Sequence, residues 1–153
     1  MNPSTSAGAD RATRDCELCH GTGGAVLWQN GLCRVVAVDE PGLPGFIRVV
    51  LARHEREMTD LPAGDRDRLM AVVFAVESHV RKSLQPDKIN LASLGNLTPH
   101  VHWHVIPRWR DDRHFPGPVW APARHDAPVP AARAVAAARM AASLPAVLAA
   151  QGL

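Results

Sequence analysis

Ten consecutive residues constrain this chain more than any others: Pro99-His100-Val101-His102-Trp103-His104-Val105-Ile106-Pro107-Arg108. Val101, Trp103 and Val105 alternate with three histidines. Alternate side chains of a strand share a face, so the pattern predicts a strand from His100 to Pro107. Its apolar residues turn toward a core, and the imidazoles line an exposed outer face, neighbours about 7 Å apart. Stability alone does not call for an imidazole face. A neutral ring nitrogen is a good nucleophile near pH 7, and its phosphorylated product is labile. Neighbouring rings can donate hydrogen bonds to phosphate oxygens as charge builds up. Polyphosphate chemistry is therefore the first reading. A surface strand with a fortuitous histidine tract is a second, and a metal site built from all three imidazoles is a third.

Other elements follow from pattern. Ala25 to Gln29 and Leu32 to Val38 read as two strands around the turn Asn30-Gly31. Gly45 to Arg53 is a third strand and Lys88 to Leu94 a fourth. Leu69, Val72, Val73, Val76 and Val80 recur at spacings of three and four, which predicts a helix from a cap at Asp60 to about Leu84, ended by Pro86. Its apolar face also offers a surface for a second copy. Trp109 to Pro130 has no clear period and reads as an ordered extended segment wrapping the body. Pro130 to Ala150 is alanine-rich and helical by propensity, with Pro145 expected to kink or split it. Short turns between the strands favour an antiparallel α+β fold. The expected organisation is a disordered tail over 1–14, a domain over 15–125 and a helical extension over 126–153.

Composition excludes several classes. At 153 residues the chain suits one domain. A net charge of +2 gives no broad basic face for nucleic acid. No run of about 18 apolar residues suggests a membrane span, and the N-terminus has no apolar core of a signal peptide, so the cytoplasm is expected. Three cysteines, an odd number, argue against a disulfide framework. Cys16-x-x-Cys19 has metal-ligand spacing but is half a site; alternatively it is two reduced thiols in a loop. A redox pair is disfavoured because no βαβ pattern surrounds it. Cys33 reads as a small core residue, and Gly21 to Gly24 as a turn, since a phosphate loop needs a lysine and a preceding strand. Trp109 reads as packing, or alternatively as a stack on a nucleotide base, Trp28 and Trp120 as core or dimer contacts, and His20, His79, His114 and His125 as surface or capping residues.

The histidine segment resembles the signature of the histidine triad (HIT) superfamily, and His100, His102, His104, Val105 and Ile106 match it in full. From about Cys16 to Trp120 the chain is similar to bacterial members of the diadenosine polyphosphate hydrolase-like branch. The supporting segments are Pro44-Gly45-Phe46, His54, Glu57-Met58-Thr59-Asp60-Leu61, Lys88-Ile89-Asn90-Leu91, Leu94-Gly95-Asn96 and Phe115-Pro116. The resemblance implies a HIT-like fold: a five-stranded antiparallel sheet, a long helix between strands 3 and 4, a C-terminal helical segment and, usually, a homodimer. It implies attack of His102 on the α-phosphate of a nucleotide, with His104 on the phosphate oxygens and His100 orienting the site. Asn90, Gly95, Asn96, Thr98 and Arg108 would border the substrate, and Asp39 would contact the ribose. It also implies a structural zinc on Cys16, Cys19, His54 and His100, and no organic cofactor. Two positions depart from the family pattern. Asn96 replaces a common glutamine, and Leu97 replaces the serine of the phosphoramidase branch, which favours a phosphoanhydride substrate. The expected activity is hydrolysis or nucleotidyl transfer on a dinucleoside polyphosphate or related adenylated compound. The rival is a non-catalytic nucleotide-binding or zinc-organised interaction module on the same fold.

Overall fold

The computed structural model describes residue 13 and residues 15–153. The tail expected over 1–14 lies, Thr13 apart, outside the described residues. Five strands form one antiparallel sheet: β1 (Ala25–Gln29), β2 (Cys33–Ala37), β3 (Ile47–Leu51), β4 (Lys88–Ala92) and β5 (His102–Arg108), in the order β1-β2-β3-β5-β4. Asn30 shapes the first hairpin with its own side chain, Oδ1 accepting from the amides of Leu32 and Cys33 at 2.8 and 2.9 Å.

Among the described residues, α1 (Glu17–His20), α2 (Ala63–Leu84) and α3 (Ala131–Ala150) are helical. Helix α2 crosses β3 and β5, and α3 packs on α2 and β1. The apolar stripe Leu69, Val72, Val73, Val76 and Val80 is buried with Val35, Ile47, Val49, Leu51 and Val105 of the sheet and Met140, Leu144 and Leu148 of α3. Each such side chain contributes about 1.5–3 kcal/mol. That stripe is therefore spent inside one chain, and it does not supply the dimer surface expected of it.

Two boundaries differ from expectation. Asp60 does not cap α2: it ends a short 3-10 turn, Met58–Asp60, and the helix starts at Ala63 behind Pro62. Proline has no N–H to lose and a φ already near helical, so it suits a helix start. At the other end Gln85 takes a left-handed φ of 47° before Pro86. Helix α3 runs through Pro145 without a break. Proline there forfeits one backbone hydrogen bond, while Leu144 and Leu148 on either side are fully buried and hold both halves in place. By length and composition α3 could cross a membrane; here Ala137, Met140, Leu144 and Leu148 are buried in the fold.

The opposite face of the sheet carries the polar chemistry. The register sets Arg48 against His104 and Val50 against His102, with Val36 beside Arg48 and Arg34 beside Val50 on β2. The segment from Cys16 to Gly24 lies over this face. Cys16 and Leu18 pack on Val36 and Val50, and Arg34 donates to the carbonyls of Leu18, Gly21 and Thr22 at 2.6, 3.0 and 2.9 Å. Gly24, at φ 152°, sits so close to β2 that a Cβ would meet the Ala37 carbonyl oxygen at 2.3 Å, and the chain bends at residues 21, 23 and 24.

Candidate active site and metal centre

Strand β5 begins at His102, two residues later than the alternation suggests. The backbone at its start is engaged elsewhere: the Val101 amide donates to Glu55 and its carbonyl accepts from Leu51. His100 therefore stands before the strand with its ring turned to the N-terminal segment. Its carbonyl accepts from His102 Nδ1 at 2.6 Å. A carbonyl can only accept, so Nδ1 carries the proton and Nε2 presents its lone pair.

The rings of His102 and His104 meet edge to face with centroids 4.8 Å apart. They are 7% and 5% exposed, not the open imidazoles expected. Phe46 and Trp120 close over His104 at 5.5 and 5.1 Å between ring centres. Burial pushes the His102 pKa down; the bond to the His100 carbonyl and the Glu17 carboxylate pull it up, and Arg48 pushes it down further. For His104, burial, then His102 and Arg48, depress the value to about 3. The pair is thus held neutral, the state in which imidazole is a nucleophile.

Beside them, the Sγ atoms of Cys16 and Cys19 and one ring nitrogen each of His54 and His100 lie within 4.8 Å of one another. His100 Nδ1 is 3.4 Å from Cys16 Sγ and 3.5 Å from Cys19 Sγ, and His54 Nδ1 is 3.3 Å from Cys19 Sγ. Those spacings approach the edge of about 3.5 Å implied by Zn–S and Zn–N bonds of about 2.3 and 2.0–2.1 Å in a tetrahedron. His100 Nε2 donates to the Leu51 carbonyl at 2.8 Å, which fixes the tautomer and aims the Nδ1 lone pair at the thiols, as outer partners of metal-binding histidines do. Burial, then the neighbouring Cys16, raises the Cys19 thiol to about 11. Two adjacent thiolates need a cation between them. The donor set fits zinc, and these four residues could hold it.

A model of the HIT domain matches residues 23–111. The chain belongs to the HIT domain family. It is 27% identical over 120 residues to the AP-4-A phosphorylase of Mycobacterium tuberculosis, a match that covers 74% of this chain and 62% of that protein, so the chain spans less than two thirds of that relative's length. A histidine triad protein of Marinobacter aquaeolei VT8 superposes with a TM-score of 0.67 at 29% identity, covering 84% of this chain and 91% of its own. A zinc-bound histidine triad family protein of Mycobacterium smegmatis superposes with a TM-score of 0.60, covering 91% and 99%; at 19% identity it shares the fold.

Within this HIT domain the other expected residues fare unequally. Arg108, expected at the substrate, is buried and committed: Nε and Nη2 donate to Asp112 at 2.7 and 3.0 Å, Nη2 also to the Gly117 carbonyl, and Nη1 to Asn90 Oδ1. It braces the chain after β5, and it has drawn Asn90 into that brace. Asp112 in turn accepts from the amides of Trp109, His114 and Phe115. Burial works to raise its pKa, but Arg108 and these amides outweigh it and hold the carboxyl below its ordinary value. Gly95, with φ 78°, turns the loop after β4. Leu97 stands fully exposed at that loop's tip, and Thr98 donates to Glu17 Oε1 at 2.7 Å, tying the loop to α1. Asp39 is exposed, in a groove between the end of β2 and α3.

Trp109 is buried under Arg133 of α3, 4.2 Å from its ring. Trp120, read as a core or dimer contact, is 51% exposed and stands over His104. His79 joins the two long helices through Met140 O and Ser143, and Cys33 is a buried core thiol raised to about 12 by burial. Sequence reasoning missed Ser93, which donates to the His102 carbonyl at 2.8 Å, and it missed Phe46, Arg34 and Arg48. The arginines had a legible signal: each is a charge inside an apolar run, Cys33–Ala37 or Ile47–Leu51.

Proposed function

We propose that the chain cleaves a dinucleoside polyphosphate or a related adenylated compound at the α-phosphate, through a nucleotidyl intermediate on His102. The observation that carries this reading is the pinned tautomer: Nδ1–H donates to the His100 carbonyl at 2.6 Å, so the lone pair of a neutral ring is on Nε2. In the first step Nε2 forms a bond to the α-phosphorus, and the bridging P–O bond breaks with its electron pair leaving on the polyphosphate. In the second, an oxygen of water or inorganic phosphate attacks the same phosphorus and the N–P bond returns its pair to Nε2. Water gives up a proton in that step. The relative named AP-4-A phosphorylase supports this substrate class and a phosphate acceptor. His104 serves the phosphate oxygens, and His100 holds His102 by its carbonyl. The Gly95–Thr98 turn and Asp39 border the nucleotide, and Asn90 and Arg108 act from behind.

Cys16, Cys19, His54 and His100 are the residues that hold zinc. Bound there, zinc supplies a structural cross-link that takes no part in the chemistry. The three cysteines form no disulfide, which suits the reducing cytoplasm. Residues 15–125 form the HIT domain, and 126–153 an extension that covers its helical side. We also propose a homodimer: β4 is an edge strand, and Leu91 on it and Phe74 on α2 are exposed large apolar side chains. Light scattering at tens of micromolar tests it, and a monomer refutes it.

The function is tested with a substrate panel from diadenosine polyphosphates to adenosine phosphoramidates, with and without phosphate, with products identified and phosphorus stereochemistry followed. Two in-line displacements predict overall retention. Inversion, or no turnover of any member, overturns the reading.

A further inference from the structure

Three arginines approach the histidine face, and two are fully engaged. Arg108 is locked to Asp112, Asn90 and Gly117. Arg34 holds three carbonyls of the N-terminal segment. Arg48 differs. Its Nη1 donates to the Gly23 carbonyl at 3.2 Å and its guanidinium lies 5.7 Å from the Phe46 ring centre. Its Nε is buried with no partner, and among the described residues no carboxylate forms an ion pair with it. Glu17 and Glu40 act on it only through space.

Directly opposite, His104 is the cross-strand partner of Arg48, and its Nδ1 is also buried with no partner. An unpaired buried polar atom is costly, and more so on a cation. Both residues face the nucleophile's side of the sheet, so the open Arg48 Nε calls for an acceptor there, and His104 Nδ1 can share that acceptor when it carries the ring proton. A neutral apolar group cannot fill that place. A phosphate oxygen can, because the Nε/Nη2 edge of a guanidinium matches it in a way a lysine ammonium does not.

We propose that Arg48 is a further catalytic residue, which binds through its Nε edge a non-bridging oxygen of the phosphate attacked by His102, alongside His104. The inference rests on the reaction proposed above and deepens it. As the Nε2–P bond forms, negative charge grows on the phosphate oxygens, and a fixed cation already in place stabilises it without reorganisation. It also sets the substrate class, a phosphate ester or anhydride flanked by further negative charge.

The competing role is pinning the Cys16–Gly24 segment through Gly23, and Arg34 supplies the control, since it binds three carbonyls of that segment. Zinc-loaded wild type, Arg48→Gln, Arg48→Lys and Arg34→Gln are compared for diadenosine tetraphosphate turnover, pyrophosphate affinity by calorimetry, thermal midpoint and zinc content. Arg48→Gln is expected to lower kcat about 100-fold and weaken pyrophosphate about 10-fold, with midpoint and zinc content retained. Arg48→Lys, which keeps charge and stem but loses the Nε edge, is expected to fall in the same direction. In a further variant, Arg48→Ala, kcat is expected to fall as in Arg48→Gln, and added methylguanidinium is expected to restore part of it. Arg34→Gln is expected to lower the midpoint and keep kcat. Wild-type turnover and pyrophosphate affinity in Arg48→Gln overturn the proposal, as do losses in that variant that come with a lowered midpoint or a lowered zinc content. Should wild type fail to turn over the dinucleotide, the reaction proposed above falls, and the pyrophosphate difference still decides the role of Arg48.

Discussion

Arg108 and Arg48 lie on adjacent strands of one sheet and face the same side, yet they are treated in opposite ways. Arg108 is buried with a carboxylate whose own remaining lone pairs are filled by three amides. Arg48 keeps a buried nitrogen without a partner. A buried ion pair completed in this way organises a loop and leaves nothing over for a ligand. A buried donor left open calls for a water, an ion or a ligand to complete it. The contrast extends along the face: His102 has one nitrogen committed and one open, His104 has a buried nitrogen unpaired, and the nitrogens of His100 are both directed at partners. Open atoms should govern rate, and completed ones stability.

The largest effect that sharpens this division is at His102. His102→Ala removes the open Nε2, and turnover on every substrate should fall by about 10⁴-fold or more, with the circular dichroism spectrum unchanged. A variant with near wild-type rate would place the chemistry elsewhere. Next is the completed pair. Asp112→Ala leaves Arg108 as an uncompensated buried charge and should cost about 3–5 kcal/mol of stability in urea unfolding. Its kcat, corrected for folded fraction, should change far less than its stability. The reverse pattern would break the comparison.

The helices, the strands and the triad are legible in sequence to different depths, and the reasons are physical. Period-two and period-3.6 patterns specify which side of an element is apolar, so β5 and α2 can be read directly from Val101-His102-Trp103-His104-Val105 and from Leu69 to Val80. What covers a polar face is a long-range fact. Nothing local to His104 says that Phe46 and Trp120, from two distant loops, close over it, so the imidazoles were expected to be open. Arg108 was expected at the substrate because it follows the triad; its commitment depends on Asp112, which a turn returns to it. The metal cluster was within reach through family resemblance alone, since residues 16, 19, 54 and 100 meet only once β3 and the start of β5 are paired. Asp60 and Pro145 show local signals overridden, one by a competing proline two residues on, the other by flanking leucines.

Zinc provides an intermediate test. Protein purified without added metal should contain about one equivalent, and chelation should lower the thermal midpoint and expose the N-terminal segment to protease more than it lowers kcat. Less than about a tenth of an equivalent would count against the site. The smallest effect is in pH. His104 titrates at about 3 when folded, against an ordinary 6.5. The folded state therefore binds fewer protons than the unfolded chain between those values, and this contribution to stability is full above about 6.5 and lost as pH falls toward 3. Urea midpoints measured from pH 7.5 down to 5 should decline, and His104→Asn should flatten the decline. An identical slope in the variant would assign the effect to other groups.

His100 divides its duties between two parts of one residue. Its ring belongs to the cysteine cluster, and its main-chain oxygen holds the proton of His102. The oxygen is common to every amino acid, so the hold on His102 does not depend on which side chain occupies position 100. Substitutions there can discard the ring's task and keep the oxygen's. A lineage could therefore shed its cysteine loop in small steps while the neighbouring imidazole stays usable throughout, and the two inventions are separable by heredity although they share a residue.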